Sequence, residues 1–380
     1  MKILIIAYPS LKNDPRPYRQ IKNLYKKHEI HCIGASESGL EDSFYRLKKY
    51  KLYFEIFRIF LLKLGLYEFY YWDKFKKRVF NSIKIHEFDL VIAHEIRLVP
   101  LALKIAKKAP VILDAHEYSP KNFDDNWVWR FFIKKYYTRL CVQNLPKVDK
   151  VITVSPGIVE AYEKNFNTNT ILIKNTSEFV DNLLPSKINS KLIKIIHHGI
   201  VSSSRKLELL IDMMNHLDNT KFELNLMLVS SLSTKLYFKK LKRKAKNLNI
   251  IFLDPVKREE LIPFCNQFDI GLIFLHPTNF NLKFALANKF FEMIQSRLAL
   301  AIGPDIEMSK YVNKYELGMI SEDWSSFSLA EKIKSTNVSK ISHYKKQSDK
   351  YAKDLSSIND NINFMNLINS YSDKSTYKQI

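Results

Sequence analysis

The chain has 380 residues, which is enough for two ordinary domains that each bury a hydrophobic core. Its hydrophobic fraction of 46% excludes an intrinsically disordered chain, and no apolar run reaches the roughly 18 residues that a bilayer-spanning helix needs. Its three cysteines, Cys32, Cys141 and Cys265, are far apart and fit no metal-binding spacing. They favour a reducing compartment, so we expect the protein to be cytoplasmic.

The formal net charge of +21 predicts attraction to anionic partners, which could be nucleic acid, an anionic lipid surface or a phosphorylated substrate. The alternative is a lysine-rich surface whose charge is simply solvated. The sequence contains no zinc finger, no aromatic motif of the RNP type and no convincing helix-turn-helix. We therefore expect no nucleic-acid partner.

Short apolar strands alternate with helices through the first half of the chain. The first segment, KILIIAY, is a short apolar run followed by a proline, which indicates a buried strand rather than a signal peptide. Strands are predicted at 2–8, 28–35, 89–95, 110–117, 150–155 and 169–175, with helices at 15–27, at 98–107 and from 156. This alternation predicts a parallel sheet covered by helices on both faces.

The same alternation restarts after a polar, proline-containing linker near 181–191. Strands are predicted at 192–199, 222–230, 249–256, 269–275 and 298–303. We therefore predict an α/β fold of two doubly wound, Rossmann-like domains, residues 1–182 and 192–340, which face a central cleft at the carboxyl ends of their strands. A C-terminal helix, 341–371, is expected to cross back to the first domain and to leave 372–380 as a frayed tail.

An insert at 45–80 interrupts the first predicted domain and interleaves aromatic with basic residues. One interpretation is a set of amphipathic helices with one face in the core. The other is an aromatic and basic surface that lies on an anionic membrane or flanks a bound acceptor. Both interpretations can hold for different faces of the same helices.

Two arginines lie in the opening turns of the first predicted helix, in NDPRPYRQIKNL. Asp14 is a suitable N-cap, and Pro15 suits the first helical position. Arg16 and Arg19 then stand where a cation opposes the helix dipole. They are either tolerated on an exposed surface or used to contact a phosphate or an acceptor beside the free amides of the helix start.

Ionisable residues gather where two predicted strands of the first domain end. The segment ILDAHEY places Asp114, His116 and Glu117 at the edge of the sheet where ligands bind. His116 could orient a substrate hydroxyl or stabilise a developing charge, with Glu117 or Asp114 fixing its tautomer. The strand end VIAHE adds His94 and Glu95 more weakly. The alternative is a set of polar strand ends satisfied by local hydrogen bonds.

The second predicted domain offers two segments that suit an anionic ligand. In HHGIVSSSRKLELLI, Gly199 lets the chain turn tightly after the strand, and Arg205 at the helix start can pair with a diphosphate. In ALANKFFEM, we predict Asn288 as the N-cap, with Lys289 and the neighbouring amides facing an anion. Glu292 comes one residue too late for a capping box. Its carboxylate can accept hydrogen bonds from both hydroxyls of a ribose.

With these motifs in hand, the chain resembles a GT-B glycosyltransferase of the family 4 type over nearly its whole length. NDPRPYRQIKNL resembles the first-loop motif of that family, and ILDAHEY resembles its catalytic-histidine strand. HHGIVSSSRKLELLI resembles the phosphate loop, and ALANKFFEMIQSRLALAIG resembles the Pro-Asn-Lys-Phe-Phe-Glu donor segment. The resemblance implies that His116 lies beside the anomeric carbon of the donor, that Arg205 binds diphosphate and that Glu292 holds the ribose.

The resemblance also implies a reaction. We expect transfer with retention from a nucleoside diphosphate sugar, with UDP favoured over GDP, and with neither a metal nor another cofactor. The expected acceptor is a growing, lipid-linked glycan in the biosynthesis of capsule, lipopolysaccharide or exopolysaccharide. The basic charge and the insert then suit a peripheral position on the inner face of the cell membrane.

The sequence departs from the family pattern at Phe284, where an acidic residue that contacts the donor sugar is usual. Two rival interpretations follow. One is a GT-B enzyme that is not a transferase, such as a nucleotide-sugar epimerase, which would need more acids and histidines around the sugar. The other is a catalytically weak protein that retains the fold and binds the nucleotide sugar, which Phe284 favours.

Overall fold

The computed structural model describes residues 1–8, 10–12, 14–48 and 50–376, and the chain divides into two compact units. The first unit comprises residues 1–174 and 279–281 together with the chain from 360 onwards, and the second comprises 175–278 and 282–359. Each unit contains one parallel sheet flanked by helices, so the predicted α/β fold with two doubly wound sheets is confirmed. The first unit ends at residue 174, earlier than the boundary at 182 expected from composition.

The first sheet has seven parallel strands in the order β3-β2-β1-β4-β5-β6-β7. The strands are β1 (Lys2–Ile6), β2 (Glu29–Gly34), β3 (Ser43–Arg46), β4 (Leu90–His94), β5 (Val111–Ala115), β6 (Lys150–Thr153) and β7 (Thr170–Leu172). The helices among them are α1 (Pro15–Leu24), α2 (Leu52–Lys63), α3 (Tyr67–Tyr71), α4 (Lys74–Ile83), α5 (Val99–Ala106), α6 (Lys134–Asn144) and α7 (Pro156–Phe166).

The central strands of this sheet are continuous apolar runs because helices cover both faces. Every residue of β4 and β5 is buried, and so are Ile3 to Ile6 of β1. The edge strand β3 escapes prediction because it is four residues long and none of them is buried, which leaves no clear hydrophobic pattern.

The second sheet has six parallel strands in the order β10-β9-β8-β11-β12-β13. They are β8 (Ile193–Ile200), β9 (Phe222–Val229), β10 (Ile250–Leu253), β11 (Ile270–Ile273), β12 (Ala299–Ile302) and β13 (Gly318–Ile320). The helices of this part of the chain are α8 (Glu208–Met214), α9 (Lys235–Lys244), α10 (Arg258–Cys265), α11 (Phe280–Lys283), α12 (Asn288–Gln295), α13 (Met308–Tyr315), α14 (Ser326–Lys334), α15 (Val338–Tyr351) and α16 (Ser357–Thr376).

The second sheet has a hydrophobic core on each face. Ile195 and Ala301 belong to one buried cluster, whereas their neighbours Ile196 and Leu300 belong to the other. This division follows from the alternation of side chains along a strand. Helix α12 packs its apolar residues into the second cluster, which fixes the position of its first turn.

The insert folds as the three helices α2, α3 and α4 with one face buried, as the first interpretation expects, whereas the membrane or acceptor surface stays a prediction. Arg58, Leu62 and Tyr71 are buried, whereas Tyr53 and Phe57 are 70% and 68% exposed. None of the helices in the described part of the chain combines the length and the hydrophobicity of a bilayer-spanning segment.

The prediction of one helix at 341–371 is wrong, because the chain breaks it into α15 and α16. Ser356 lies at the break, and its hydroxyl accepts a hydrogen bond from the Ile358 amide at 3.4 Å, as expected where a serine precedes a helix. From residue 360 onwards α16 belongs to the first unit, where Phe364 and Ile368 pack in one cluster with Ile3 and Ile5. Residues 372–376, expected to fray, continue the helix, and 377–380 lie outside the described residues.

Candidate functional site

Two histidines meet at the carboxyl edge of the first sheet. Strand β4 ends at His94, and His116 follows the last residue of β5. His94 Nδ1 lies 3.1 Å from His116 Nε2, with the two rings nearly perpendicular. Burial lowers the pKa of His94 to about 3, so this ring is neutral at neutral pH. A hydrogen bond between the two rings therefore orients His116, which is only half-buried and open to a ligand.

Asp114 acts on His116 by its charge rather than by a hydrogen bond within the described part of the chain. Its carboxylate is fully buried and accepts hydrogen bonds from Arg16 Nε at 2.9 and 2.8 Å and from Gln20 Nε2 at 2.6 Å. Burial alone would raise the pKa of Asp114, but the Arg16 guanidinium holds it well below its usual range. The carboxylate lies 3.7 Å from His94 Nδ1 and within 4.8 Å of a ring nitrogen of His116, so its negative charge acts on both rings.

Arg16 is an internal residue, and this corrects the expectation that it contacts a phosphate. Asp14 caps α1 by accepting the Arg16 amide at 3.1 Å, and the helix start then directs the Arg16 side chain into the unit, where it is 1% exposed. Besides Asp114, it donates to the carbonyl oxygens of Ile173 and Lys174 at 2.9 and 3.2 Å. Arg19 is partly exposed on the same helix, and its phosphate or acceptor contact stays a prediction.

Glu95 carries backbone strain at the end of β4. Its φ of 71° and ψ of 145° belong to a region that side chains rarely adopt. The Asp114 carbonyl holds this conformation by accepting the Glu95 amide at 3.0 Å, and the Glu95 side chain forms an ion pair with Arg97. Strain of this kind is retained where it places a functional loop.

Glu117 stands on an anchored backbone with an exposed side chain. Its carbonyl oxygen accepts a hydrogen bond from the Tyr162 hydroxyl at 2.9 Å. The hydroxyl of Tyr162 also accepts the Ser119 amide at 3.1 Å. The loop after β5 is therefore fixed by its main chain, while the tautomer role expected for Glu117 stays a prediction.

In the second unit, two cations converge on Gly199. This residue lies inside β8 rather than in a turn after it, which corrects the reason given for the glycine. With a φ of 146°, a Cβ at this position would lie 2.9 Å from Lys289 Nζ and 3.2 Å from Arg205 Nη1. Only glycine therefore leaves room for both cations beside the strand.

Arg205 and Lys289 reach this place from two different elements. Arg205 lies in a one-turn 3₁₀ helix, Ser203–Arg205, and not at the start of α8, which begins at Glu208. Lys289 is buried, and its Nζ donates to the His198 carbonyl at 2.8 Å. Burial, reinforced by the Arg205 charge, lowers the pKa of Lys289 to about 7. Two cations held this close repel each other, and a bound anion would relieve this repulsion.

Glu292 lies on the same helix as Lys289, with its side chain 22% exposed. Its Oε2 is 3.6 Å from His198 Nε2, and burial lowers the pKa of His198 to about 3, so this is not an ion pair at neutral pH. Burial raises the pKa of Glu292, an effect that the charges of Lys289 and Arg258 oppose. The carboxylate is thus a partly open acceptor beside the two cations.

The start of α12 differs from its prediction by one residue. Ala287, not Asn288, is the N-cap, and Asn288 is the first helical residue, with an exposed side chain. The capping-box position is therefore Phe290, and Glu292 lies even further from it than expected. Asn288 loses its capping role, and its contact with a donor stays a prediction.

Three further residues lie next to these clusters, and the sequence gives only a weak indication of them or none. His94 was a weaker candidate, although its register opposite Asp114 brings it next to His116. Gln20 lies four residues after Arg16 and so shares its helix face, which is a signal that could have paired them. His198 directly precedes Gly199, but a histidine in a buried strand is more often structural.

A metal ion is poorly suited to the histidine cluster. His94, Asp114 and His116 offer ligand atoms within 4.8 Å of one another. Both oxygens of Asp114 already accept hydrogen bonds from Arg16, whose fixed charge would repel a divalent cation. The donor set therefore matches an internal ion pair beside a histidine pair better than it matches a metal centre.

Comparison with known proteins adds a family to this geometry. Residues 17–176 match the model of the family described as Glycosyltransferase Family 4. A search of curated protein sequences gives no match. The family match begins within α1, directly after Arg16, and it covers both histidines and the chain through β7.

Solved structures match over nearly the entire chain. HepE of Anabaena in complex with UDP and glucose is 14% identical, with a TM-score of 0.70 over 97% of this chain and 100% of that chain. Sucrose-phosphate synthase of Thermosynechococcus elongatus is 11% identical, with a TM-score of 0.72 over 97% and 98%. An Escherichia coli trehalose-6-phosphate protein bound with UDP-2-fluoro glucose is 10% identical, with a TM-score of 0.69 over 96% and 98%. The chain therefore has the GT-B fold, with a family 4-like first unit.

Removal of the Arg16 side chain should cost a large part of the stability of the first unit. In Arg16→Met, Asp114 is left buried without its counter-charge, and we expect a loss of about 3–5 kcal/mol in the free energy of unfolding. Chemical denaturation measures this loss. Arg19→Met, on the same helix but partly exposed, is the control and should change stability by less than about 1 kcal/mol.

A double variant separates charge from packing. Arg16→Met combined with Asp114→Leu removes both charges, so it should recover a large share of the stability lost in Arg16→Met. A double variant no more stable than the single one would contradict the ion pair as the source of the effect.

Proposed function

We infer from the match to Glycosyltransferase Family 4 and from the GT-B fold that the chain is a family 4-like glycosyltransferase, and we propose that it transfers a sugar with retention from a nucleoside diphosphate sugar. UDP is favoured over GDP. The observation that carries this proposal is the convergence of Arg205 and Lys289 on Gly199.

The two cations suit a diphosphate for electrostatic reasons. Lys289 is buried beside Arg205, so each raises the free energy of the other in the absence of an anion. A diphosphate would remove this repulsion, and it gains negative charge as the sugar leaves. HepE has been solved with UDP and with UDP-glucose, which agrees with a uridine diphosphate at the corresponding place in this fold.

Glu292 is assigned to the ribose of the donor. Its partly exposed carboxylate lies on the same helix as Lys289, one turn further along, so a nucleotide whose diphosphate meets Lys289 has its ribose within reach. A carboxylate can accept hydrogen bonds from both ribose hydroxyls. Asn288, exposed at the start of the helix, is available for a further donor contact.

His116 is assigned to the reacting end of the donor sugar. Transfer with retention passes through an oxocarbenium-like state, and a group beside the anomeric carbon must orient the sugar and tolerate positive charge. His116 is oriented by the neutral His94, and the buried negative charge of Asp114 lies behind that ring. Glu117, on the loop after β5, keeps its proposed role of fixing the tautomer of His116, and Glu95, directly after β4, is assigned to a phosphate or acceptor contact.

We further propose that no metal or other cofactor takes part. In transferases that use a divalent ion, the ion neutralises the leaving diphosphate. Arg205 and Lys289 supply two positive charges for the same purpose. Chelation of divalent ions should therefore leave the rate of transfer unchanged.

The proposed acceptor is a growing, lipid-linked glycan of a capsule, lipopolysaccharide or exopolysaccharide. Helix α2 exposes large apolar side chains, among them Tyr53, Phe57 and Phe60, and exposed lysines such as Lys51 and Lys63 accompany them. Aromatic residues at the headgroup level and lysines near anionic lipids both favour membrane binding. We therefore place the protein in the cytoplasm, peripherally on the inner face of the cell membrane.

A donor screen tests the proposed reaction. Hydrolysis and transfer are measured with a panel of UDP- and GDP-sugars, with and without a chelator. Activity is expected with a UDP-sugar and is expected to survive chelation. In Glu292→Ala, loss of the ribose contact should lower kcat/KM by about 10-fold to 1,000-fold, which corresponds to about 1.5–4 kcal/mol.

Glu322→Ala is the control for this variant, because Glu322 is an exposed acid in the same unit. No turnover with any donor, together with retained UDP binding, would favour the rival interpretation of a binding protein. Interconversion of two nucleotide sugars without transfer would favour an epimerase. Unchanged turnover in Glu292→Ala would remove the assigned role of Glu292.

Donor binding should take up protons near neutral pH. The pKa of Lys289 is lowered to about 7, and a bound diphosphate must raise it again. Above pH 7 the lysine is mainly neutral in the free protein and becomes charged on binding, so affinity should fall as the pH rises through 7 and beyond. Calorimetry of the active UDP-sugar at about pH 7.5, in buffers of different ionisation enthalpy, measures the uptake.

Two variants locate the proton. Lys289→Met should abolish the uptake, whereas Lys283→Met, which changes an exposed lysine before the same helix, should retain it. Uptake that persists in Lys289→Met would assign the proton to another group.

Membrane binding should depend on the exposed face of α2. Phe57→Ser with Phe60→Ser should lower the partition into anionic vesicles by about tenfold or more, because each buried aromatic contributes about 1.5–3 kcal/mol. Flotation with anionic and neutral vesicles measures the partition. Leu232→Ser with Leu236→Ser, which removes two apolar residues of the second unit that are even more exposed, is the control. An equal loss of vesicle partition in both double variants would argue against a specific membrane face.

A further inference from the structure

A cavity of about 290 Å³ lies in the first unit, apart from the histidine pair. Loops that follow three parallel strands contribute to it, through Tyr8 after β1, Lys48 after β3 and Arg97 after β4. The insert closes another side with Tyr50 and Tyr70. The cavity therefore lies at the carboxyl edge of the sheet, where α/β proteins bind their ligands.

Aromatic side chains line this cavity and are fixed by one another. Tyr70 stands edge-on to Tyr136 at 5.2 Å between ring centroids, and Tyr136 is in turn edge-on to Tyr137 at 5.9 Å. Trp129 packs at 5.9 Å from Tyr137. Because these rings pack against one another, the apolar wall is already ordered before a ligand binds.

Both carboxylates of the cavity wall, Glu55 and Asp73, are paired with cations of the same wall. Arg58 is 6% exposed, with the ring centroids of Tyr50 and Tyr70 at 4.5 and 4.9 Å from its guanidinium carbon. It donates to Glu55 at 2.9 Å and lies 3.6 Å from Asp73, which also accepts from Lys76 at 2.8 Å. These pairs make one side of the cavity strongly polar.

One donor in the cavity wall has no partner among the described residues. The indole Nε1 of Trp129 is buried and makes no hydrogen bond within the part of the chain that the structure describes. Trp129 itself is 5% exposed. A buried N–H without an acceptor is unfavourable, so its presence beside a preformed cavity marks a position where a ligand oxygen would be bound.

We propose that this cavity binds one sugar ring of the acceptor. A pyranose has an apolar face for the aromatic wall, and its hydroxyl groups both donate to Glu55 and Asp73 and accept from Trp129 Nε1. An alkyl chain would leave the ion pairs and the indole unsatisfied, and a free phosphate has no apolar face to cover the aromatic wall. The inference rests on the proposed transfer, because it takes the bound sugar to be the acceptor. Arg97 links the cavity to the histidine pair, since it lines the cavity and forms an ion pair with Glu95, the residue after His94.

The experiment uses the full chain labelled with 5-fluorotryptophan. The chain has four tryptophans, so the fluorine spectrum has four resonances that single Trp→Phe variants assign. The probes are the methyl glycosides of glucose, N-acetylglucosamine and glucuronic acid, together with octyl phosphate and UDP. We expect at least one glycoside to shift the Trp129 resonance saturably, with Trp324 of the second unit unchanged. We expect neither octyl phosphate nor UDP to shift the Trp129 resonance.

A matched pair of variants tests the indole donor. Trp129→Phe retains an aromatic wall but removes the N–H, and it should weaken glycoside binding about tenfold, as measured by saturation-transfer NMR. Trp127→Phe, two residues away and 67% exposed, should leave glycoside binding unchanged. Equal effects of both variants would overturn the role of the Trp129 donor.

The remaining outcomes separate this inference from the proposed function. A Trp129 response to octyl phosphate alone, or to no probe, would overturn the sugar site even if the donor screen finds an active UDP-sugar. A saturable glycoside response without any donor activity would retain the sugar site and remove its role as an acceptor site.

Discussion

The buried ion pair between Arg16 and Asp114 is the interaction on which the first unit depends. Two residues that are 98 positions apart bring helix α1 against strand β5, and Arg16 also binds the main chain after β7. Because neither charge reaches water, each requires the other, and the geometry of the pair is therefore fixed. His94 and His116 lie against this pair, so their orientation and the neutral state of His94 are consequences of it. The side chains at this sheet edge are thus held in place by an interaction that is itself shielded from water.

The second unit uses the opposite arrangement. Lys289 and Arg205 are held together beside Gly199, and the Glu292 carboxylate lies one turn further along the helix of Lys289. The packing of α12, whose phenylalanines are fully buried in the core of the unit, offsets the repulsion between the two like charges. One unit therefore has an ion pair that orients neighbouring side chains, and the other has two like charges at close range that suit an anion.

The sequence predicts most strands and helices well, but it predicts poorly which side chains contact one another. The apolar runs of β1, β4 and β5 indicate buried parallel strands. Strand β3 has no clear hydrophobic pattern because it is short and half-exposed. Motif and position single out His116, Arg205 and Glu292 as candidates, and their roles stay predictions. The burial of Arg16 could not be found, because its partner lies far along the chain and an arginine at a helix start usually faces solvent. The surroundings of Gly199 could not be found either, since the two side chains next to it come from distant segments.

The position of α16 has a consequence for how the chain folds during synthesis. Phe364 and Ile368 pack in the same cluster as Ile3 and Ile5, so the core of the first unit joins residues that are made more than 350 positions apart. Until α16 emerges from the ribosome, part of the apolar surface of β1 and its neighbours lacks a cover, while the second unit can already fold from its own contiguous segments. The first unit to be synthesised is therefore the last to be completed.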